Sequence, residues 1–497
     1  TPILKYKNGE VRGETFFYQG EKVEGNDRTI SYEKGGNIAM SVIFPYQPEL
    51  ASCELYLRIK SVIKGKTSEM PIIKIGEGTL VTATLSNTLS AVPAIAPDKF
   101  QRIIREKRDA DIMFLIQQSN LRSSELNKSE ITQLQQDIES ATASINKRVA
   151  GVEISSYASP DGGIELNERL AAEREKNTVG YMQGQLTESG IFAPVDAHFT
   201  AQDWDGFKEL VEKSNIQDKD IILRVLSMYT DPERREQEIK NISTTYKDLA
   251  ESILPQLRRS RLTATIEIIG KSDQEISTLA ASNPKALSLE ELLYAATLER
   301  TSDDKAMIYR TITEYFPNDY RAFNNLGTLL YQNGDIKEAT SMFAKALRLN
   351  PNAPETNLNN GLIALANGKA SEAQQYFGKS AGTAELNPAL GILYTQNGNY
   401  TQAVNAFGDT KSNNAAVAQI LAKDYNKAKL TLLSVPNPDA TTDYLLAIVG
   451  ARTNNASQVI SSLRNAIAKD RSLAQKAAAD IEFHKFFPNE LFQSIVK

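Results

Sequence analysis

The sequence predicts a multidomain chain: an N-terminal β-sandwich, a central α/β domain with a helical insertion, and a C-terminal α-solenoid. Three observations carry this reading. Residues 1–97 hold short alternating runs broken by turn signals, and residues 98–271 interleave strand and helix patterns. From about 284 to 497, small and aromatic residues recur at helical spacing. Length agrees, because 497 residues exceed one ordinary domain.

In the first region the turn signals are Lys7-Asn8-Gly9, Gln19-Gly20, Glu24-Gly25-Asn26 and Gly35-Gly36. Between Cys53 and Lys60, the residues Cys53, Leu55, Leu57 and Ile59 alternate with more polar neighbours, which puts them on one buried strand face. Cys53 is therefore expected as a small core residue rather than a reactive thiol. The Ser/Thr/Pro/Ala-rich piece Ser86 to Pro97 reads as the linker out of this region.

The central region opens with a short apolar strand, Asp111 to Gln117. A helix from Ser129 follows, with Ser129 as its N-cap and Ile131, Leu134 and Ile138 on one face. Val152 to Tyr157 is a second strand, running into the turn Ser159-Pro160-Asp161-Gly162-Gly163 and a helix from about Glu165 to Leu186. A third strand is expected at Val195 to Thr200 and a last one at Leu262 to Ile269. The stretch 202–257 between them is charged and helical, with Trp204 and Phe207 expected in a local core. Asp231, Glu233, Glu236 and Glu238, interleaved with Arg234 and Arg235, read as a solvated face.

The C-terminal region carries a repeat. Gly327, Ala339 and Phe343 recur 34 residues later as Gly361, Ala373 and Phe377. The same internal spacing returns as Gly391, Ala403 and Phe407, then as Ala416, Ala428 and Leu432, and as Ala447, Val459 and Leu463. A partial copy precedes them with Leu293 and Ala306. A small residue lets one helix approach its partner, and the aromatic fills the space beside the crossing. Pro351 follows the second helix, where it stops extension. This period and its small/aromatic positions resemble tetratricopeptide (TPR) repeats over about 287–472, closed by the Phe-rich tail around Phe483, Phe486 and Phe487. Asn357 and Asn360 depart from the family pattern, standing where it has large apolar residues. The resemblance implies docking of other proteins without chemistry of its own.

A second resemblance rests on Ile154 to Gly162 with Asn167 to Arg174, which is similar to the strand-turn-helix core of OmpA-like peptidoglycan-binding domains. Tyr157, Asn167, Leu170 and Arg174 match the family pattern, whereas Ser159 stands at its ligand-binding Asp and Asp161 lies two residues on. Phe114 with Asn120-Leu121-Arg122, and Arg258-Arg259-Ser260-Arg261 ahead of the last strand, are similar to flanking parts of that family. The arrangement of the three regions resembles outer-membrane-associated proteins of Bacteroidota.

The resemblance makes Tyr157, Ser159, Asp161, Asn167 and Arg174 the candidate peptidoglycan site. Asn167, Leu170 and Arg174 share a helix face by their spacing. Free N–H groups at the start of that helix and the Arg174 guanidinium suit a stem-peptide carboxylate, and Asp161 suits the ammonium of a diamino acid. Each residue also has a plain structural reading. Asp161 between Pro160 and Gly162 makes a good turn, Asn167 a cap, and Arg174 a partner for Glu173 or Glu175 or a solvated charge.

Composition narrows the function. With 56 basic against 61 acidic residues there is no general field for nucleic acid, and two histidines and one cysteine leave no metal-ligand or nucleophilic pattern. Gly270-Lys271-Ser272 and Gly65-Lys66-Thr67 lack the upstream glycine of a phosphate loop. No enzyme, cofactor or metal is expected. The resemblances imply a periplasmic, outer-membrane-associated adaptor that holds the peptidoglycan stem peptide and docks outer-membrane or periplasmic proteins through its repeats, linking an outer-membrane assembly to the wall. If it is a lipoprotein, the lipid-bearing Cys precedes Thr1. The alternative is a scaffold of an outer-membrane secretion, fimbrial or biogenesis complex without wall binding.

Overall fold

The computed structural model describes every residue except 26, 46, 52 and 242. Asn26, part of one predicted turn, thus lies outside the described residues. Two compact units form: Lys99–Leu298 is one, and Thr1–Asp98 with Glu299–Lys497 is the other. The first 97 residues therefore share a unit with the repeats rather than standing alone. The expected start of the repeat region at 284 falls inside the central unit.

The N-terminal strands are β1 (Pro2–Tyr6), β2 (Gly9–Arg12), β3 (Tyr18–Gly20), β4 (Arg28–Ile30), β5 (Cys53–Leu57), β6 (Lys60–Ile63), β7 (Lys66–Glu69) and β8 (Ile73–Glu77). The Lys7-Asn8 turn folds β1 onto β2, with Tyr6 opposite Gly9. An antiparallel sheet of order β2-β1-β5-β8 results, beside two two-stranded pairs, β3-β4 and β6-β7. The predicted β-sandwich is thus corrected to one small sheet with two short ribbons among the described residues. Strands this short, with all of β7 and most of β6 exposed, supply no second inner face. Cys53 is buried with Leu4 and Leu50, and Leu55 packs against them. The strand ends at Leu57, so Ile59 lies outside it.

The central unit holds β9 (Ile103–Met113), β10 (Lys147–Tyr157), β11 (Val195–Thr200) and β12 (Arg259–Ile269). Its helices are α1 (Ser123–Leu126), α2 (Ser129–Ala143), α3 (Ile164–Glu188), α4 (Trp204–Lys213), α5 (Lys219–Met228), α6 (Pro232–Asn241), α7 (Ser243–Ser252), α8 (Asp273–Ser282) and α9 (Leu289–Leu298). The sheet order is β11-β10-β12-β9; β11 runs parallel to β10 and the other pairs are antiparallel. Apolar faces of α2 and α3 cover the sheet, with Ile131, Leu134, Ile138, Met182 and Leu186 packed on Ile112, Ile154 and Leu262. The first strand begins eight residues before the predicted Asp111 and ends at Met113. Its charged outer face, Arg105, Lys107 and Asp109, hid it from an apolar-run reading. Ser129 is the first residue of α2 and makes no side-chain cap. Helices α4 to α7 enclose their own core of Phe207, Val211, Ile222, Leu226, Ile239 and Leu249, with Trp204 edge-on to Phe207.

The remaining chain is helical: α10 (Ser302–Tyr315), α11 (Tyr320–Gln332), α12 (Ile336–Leu349), α13 (Pro354–Ala366), α14 (Ala370–Phe377), α15 (Leu386–Gln396), α16 (Tyr400–Phe407), α17 (Asn413–Leu421), α18 (Tyr425–Leu433), α19 (Ala440–Arg452), α20 (Ala456–Lys469), α21 (Ser472–Ala479) and α22 (Glu490–Val496). Consecutive helices pair as α11/α12, α13/α14, α15/α16, α17/α18 and α19/α20. The small/aromatic positions are the points of closest approach. A Cβ added at Gly327, Gly361 or Gly391 would lie 2.7, 2.5 or 2.7 Å from Phe343, Phe377 or Phe407. Where the repeat has Ala416 or Ala447, its partner is the smaller Leu432 or Leu463. The departures are also put to use: Asn357 Nδ2 donates to the Pro351 and Ala353 carbonyls, and Asn360 Nδ2 to those of Phe343 and Thr356. Phe483, Phe486 and Phe492 close the end of the solenoid.

Candidate functional site

The bend after β10 is held from several sides. Asn167, in the first turn of α3, donates its Nδ2 to the Ser159 carbonyl at 3.0 Å and the Gly162 carbonyl at 3.3 Å. Glu236 of α6 accepts the Gly162 N–H at 2.9 Å, and Gln202 reaches the Gly162 carbonyl. Gly162 itself sits at φ +135°, a conformation that favours glycine.

Arg174, four residues beyond Leu170 on α3, is 1% exposed. Its guanidinium donates to the Tyr157 carbonyl at 2.7 Å, the Gln118 carbonyl at 3.0 Å and the Leu115 carbonyl at 3.4 Å, above the Phe114 ring at 5.0 Å. The loop after β9 is thus wrapped on Arg174. The guanidinium thus turns to the main chain rather than to its neighbours Glu173 and Glu175; Glu173 instead accepts from Ser119. Burial first, and then the nearby Arg258, push Arg174 down to about 10, with Asp161 acting in the opposite direction. It stays charged at neutral pH.

Asp161 pairs with Arg258 rather than Arg174: Arg258 Nη2 lies 3.0 Å from Asp161 Oδ2, and Arg258 Nε donates to Ser159 Oγ at 3.1 Å. Ser159 thus holds a hydroxyl where a carboxylate would have made a second ion pair. Asp161 Oδ1 is buried with no protein partner. Arg259 packs on the Tyr157 ring at 4.5 Å and pairs with Asp203 at 3.1 Å. Asp203 also caps α4 through the Gly206 N–H. What remains open is a cavity of about 60 Å³ lined by Ser159, Asp161, Asn167, Arg174 and Arg258 among others. That is far below the roughly 300 Å³ at which small-molecule sites begin.

Four of the five predicted site residues line this cavity, and Tyr157 lies beside it through its carbonyl. Sequence reasoning missed Arg258 as the partner of Asp161, although the basic run ahead of β12 was visible. It also missed Glu236, read as solvated; the N–H it accepts is 74 residues away and carries no local signal. Gly270-Lys271-Ser272 proves structural, since Ser272 forms a capping box with Glu275 and Lys271 pairs with Glu291. Among the described residues no three His, Cys, Asp or Glu side chains gather as metal ligands, and no helix is long and apolar enough to cross a membrane.

A second constellation lies on the solenoid. Ser86 to Pro97, read as a linker, belongs to a strap of residues 79–98 that crosses the first helices of successive pairs and carries two short 3-10 turns, Thr82–Leu85 and Thr88–Ser90. Ala96 exchanges two hydrogen bonds with the Asn325 amide at 2.8 and 2.9 Å. Ala94 does so with Asn359 at 2.7 and 2.8 Å, and Asn87 with Asn414 at 2.8 and 2.9 Å. Asn324 and Thr328 also donate to the Ala94 carbonyl, and Tyr331 to that of Thr88. Thr82 bonds Glu482, which Arg452 holds at 2.6 Å. Asn325, Asn359 and Asn414 each stand two residues before the small residue of their repeat, so one register position is used three times. The third pair has Ala389 there.

Residues 320–353 match the family described as tetratricopeptide repeat. No curated protein sequence matches the chain. Among solved structures, the Cut9-Hcn1 hetero-tetramer of the APC/C is similar at 14% identity, over 67% of this chain and 73% of that one, with a TM-score of 0.35. PilW, a type IV pilus biogenesis factor, is similar at 15% identity over 45% of this chain and 98% of its own, with a TM-score of 0.30. A tetratricopeptide repeat protein from Parabacteroides merdae is similar at 13% identity over 59% of this chain and all of its own, with a TM-score of 0.29. Together with the helix pairs, the match at 320–353 makes the C-terminal part a TPR-type solenoid, a fold suited to protein–protein interaction.

Proposed function

We propose that this chain is a non-enzymatic assembly scaffold of the bacterial cell envelope, periplasmic and associated with the outer membrane, whose solenoid docks partner proteins. The observation that carries it is the use of charge in the OmpA-like core. The guanidinium that would receive a stem-peptide carboxylate is spent on three main-chain carbonyls, and the acid that would receive its ammonium is spent on Arg258. Partner contact then falls to the repeats. Photo-crosslinking in the native host from exposed positions of α18, such as Leu430 and Leu433, tests this. The scaffold reading expects discrete protein adducts that disappear when the solenoid is unfolded by mutation; adducts to glycan alone would contradict it.

A second reading keeps the wall link, and one observation favours it. The cavity is lined by two guanidiniums against one carboxylate, and Asp161 Oδ1 has no protein partner. A stem peptide would meet both, its carboxylate on the guanidinium charge and its ammonium on Asp161 Oδ1. This reading expects a stem tripeptide to raise the unfolding temperature of the parent but not of Asp161→Asn.

A further inference from the structure

The bend cavity keeps donors that the fold does not use. A guanidinium has five N–H groups. The bonds from Arg174 to the Tyr157, Gln118 and Leu115 carbonyls engage one on Nε and one on each Nη, which leaves a second N–H on each Nη. Arg258 uses Nε on Ser159 and Nη2 on Asp161, and among the described residues its Nη1 has no acceptor. One acceptor also stands open, because Asp161 Oδ1 is buried with no protein partner. Both guanidiniums and Asp161 line the same cavity of about 60 Å³. At roughly 10–15 Å³ for each water-sized position, it holds about five heavy atoms. Its mouth is apolar. Ile116, a lining residue, is 59% exposed; Leu115 and Ile164, each within two residues of another lining position, are 46% and 47% exposed.

We propose that this cavity is a docking site for the C-terminal end of a partner protein whose last residue is apolar. The terminal carboxylate accepts from the open N–H groups of Arg174 and Arg258 and offsets the excess of two guanidiniums over one carboxylate. The backbone N–H of the same residue donates to Asp161 Oδ1, and its side chain rests on Leu115, Ile116 and Ile164. Carboxylate, α-carbon and nitrogen together make about five heavy atoms, so this end fills the cavity and the rest of the partner stays outside. A diamino acid carries a second charged end that exceeds the cavity and would lie against the apolar rim, so volume and rim both favour a protein end over a stem peptide. The inference goes beyond the scaffold reading by adding a second contact, in the central unit.

The test uses the full chain and fluorescein-labelled peptides of one sequence ending in leucine, isoleucine or phenylalanine, each as the free acid and as the amide. Fluorescence anisotropy is expected to show binding of at least one acid, with its amide about tenfold or more weaker. Ile116→Ser, at an exposed position, is expected to weaken the acid about fivefold. Arg258→Gln is expected to abolish the preference for acid over amide, with its fold checked by circular dichroism; if that variant is unfolded, Ile116→Ser and the acid–amide comparison decide. A parent chain that binds none of the acids would overturn the proposal, as would equal binding of acid and amide, or equal binding by the parent and Ile116→Ser. A soluble stem tripeptide containing a diamino acid, added as competitor, is expected to leave the probe bound. Its displacing the probe at lower concentration than the unlabelled acid does would return the cavity to the wall and also overturn the proposal. None of these results touches the crosslinking from α18, so the two readings fail separately.

Discussion

Arg174 shows how a residue's surroundings decide its role. Replacing it with alanine leaves three carbonyls without their donor and opens a void under the bend. The expected cost is about 3–5 kcal/mol in urea unfolding, the range for breaking a buried charged network. A residue kept only for a ligand would change stability by less than about 0.5 kcal/mol. Gly361 is set by contact: a methyl group there meets Phe377 at 2.5 Å, so Gly361→Ala is expected to cost about 1–3 kcal/mol in the same measurement. That position was legible from the repeat spacing because the contact is local to one helix pair. The Asp161–Arg258 pair was not, since it joins positions 97 residues apart and either residue alone has a sufficient local explanation.

Among the elements, the sheet of the central unit carries a cross-strand charge cluster. Glu267 on β12 stands opposite Arg148 on β10 and Arg105 on β9, and pairs with them at 2.6 and 2.9 Å. Hydrogen bonds from Arg148 and then Arg105 hold its carboxyl below the usual carboxylate range. The folded chain therefore takes up this proton at lower pH than the unfolded chain does. The stabilisation is full above the ordinary carboxylate pKa and is lost as pH falls through the folded value. The difference in unfolding temperature between the parent and Glu267→Gln is expected to be largest near about pH 6 and to shrink towards about pH 3. At this scale the strands β10 to β12, the long helix α3 and the repeat pairs were readable, because periodicity reports a buried face directly. The strap was not. Ser86 to Pro97 has the composition of a linker, and the amides that bind it lie more than 200 residues away. The available signal was the recurrence of Asn325, Asn359 and Asn414 at one register position, a polar residue where a solenoid core would be apolar.

Over the whole molecule, both constellations direct polar groups inward: the bend after β10 onto its own backbone, and the repeat asparagines onto the chain's own strap. Fold class was legible at this scale wherever a repeat or alternation persisted. The small N-terminal sheet was not, and was misread as a sandwich, because counting strands says nothing about how much inner face they bury. The claim that the charged residues of the bend serve the fold rather than the wall is tested most directly by sedimentation of the intact chain with purified sacculi, alongside Asp161→Asn and Arg258→Ala. The account predicts that the parent stays in the supernatant at every sacculus concentration. Saturable pelleting of the parent that either substitution abolishes, with both variants still folded, would contradict it.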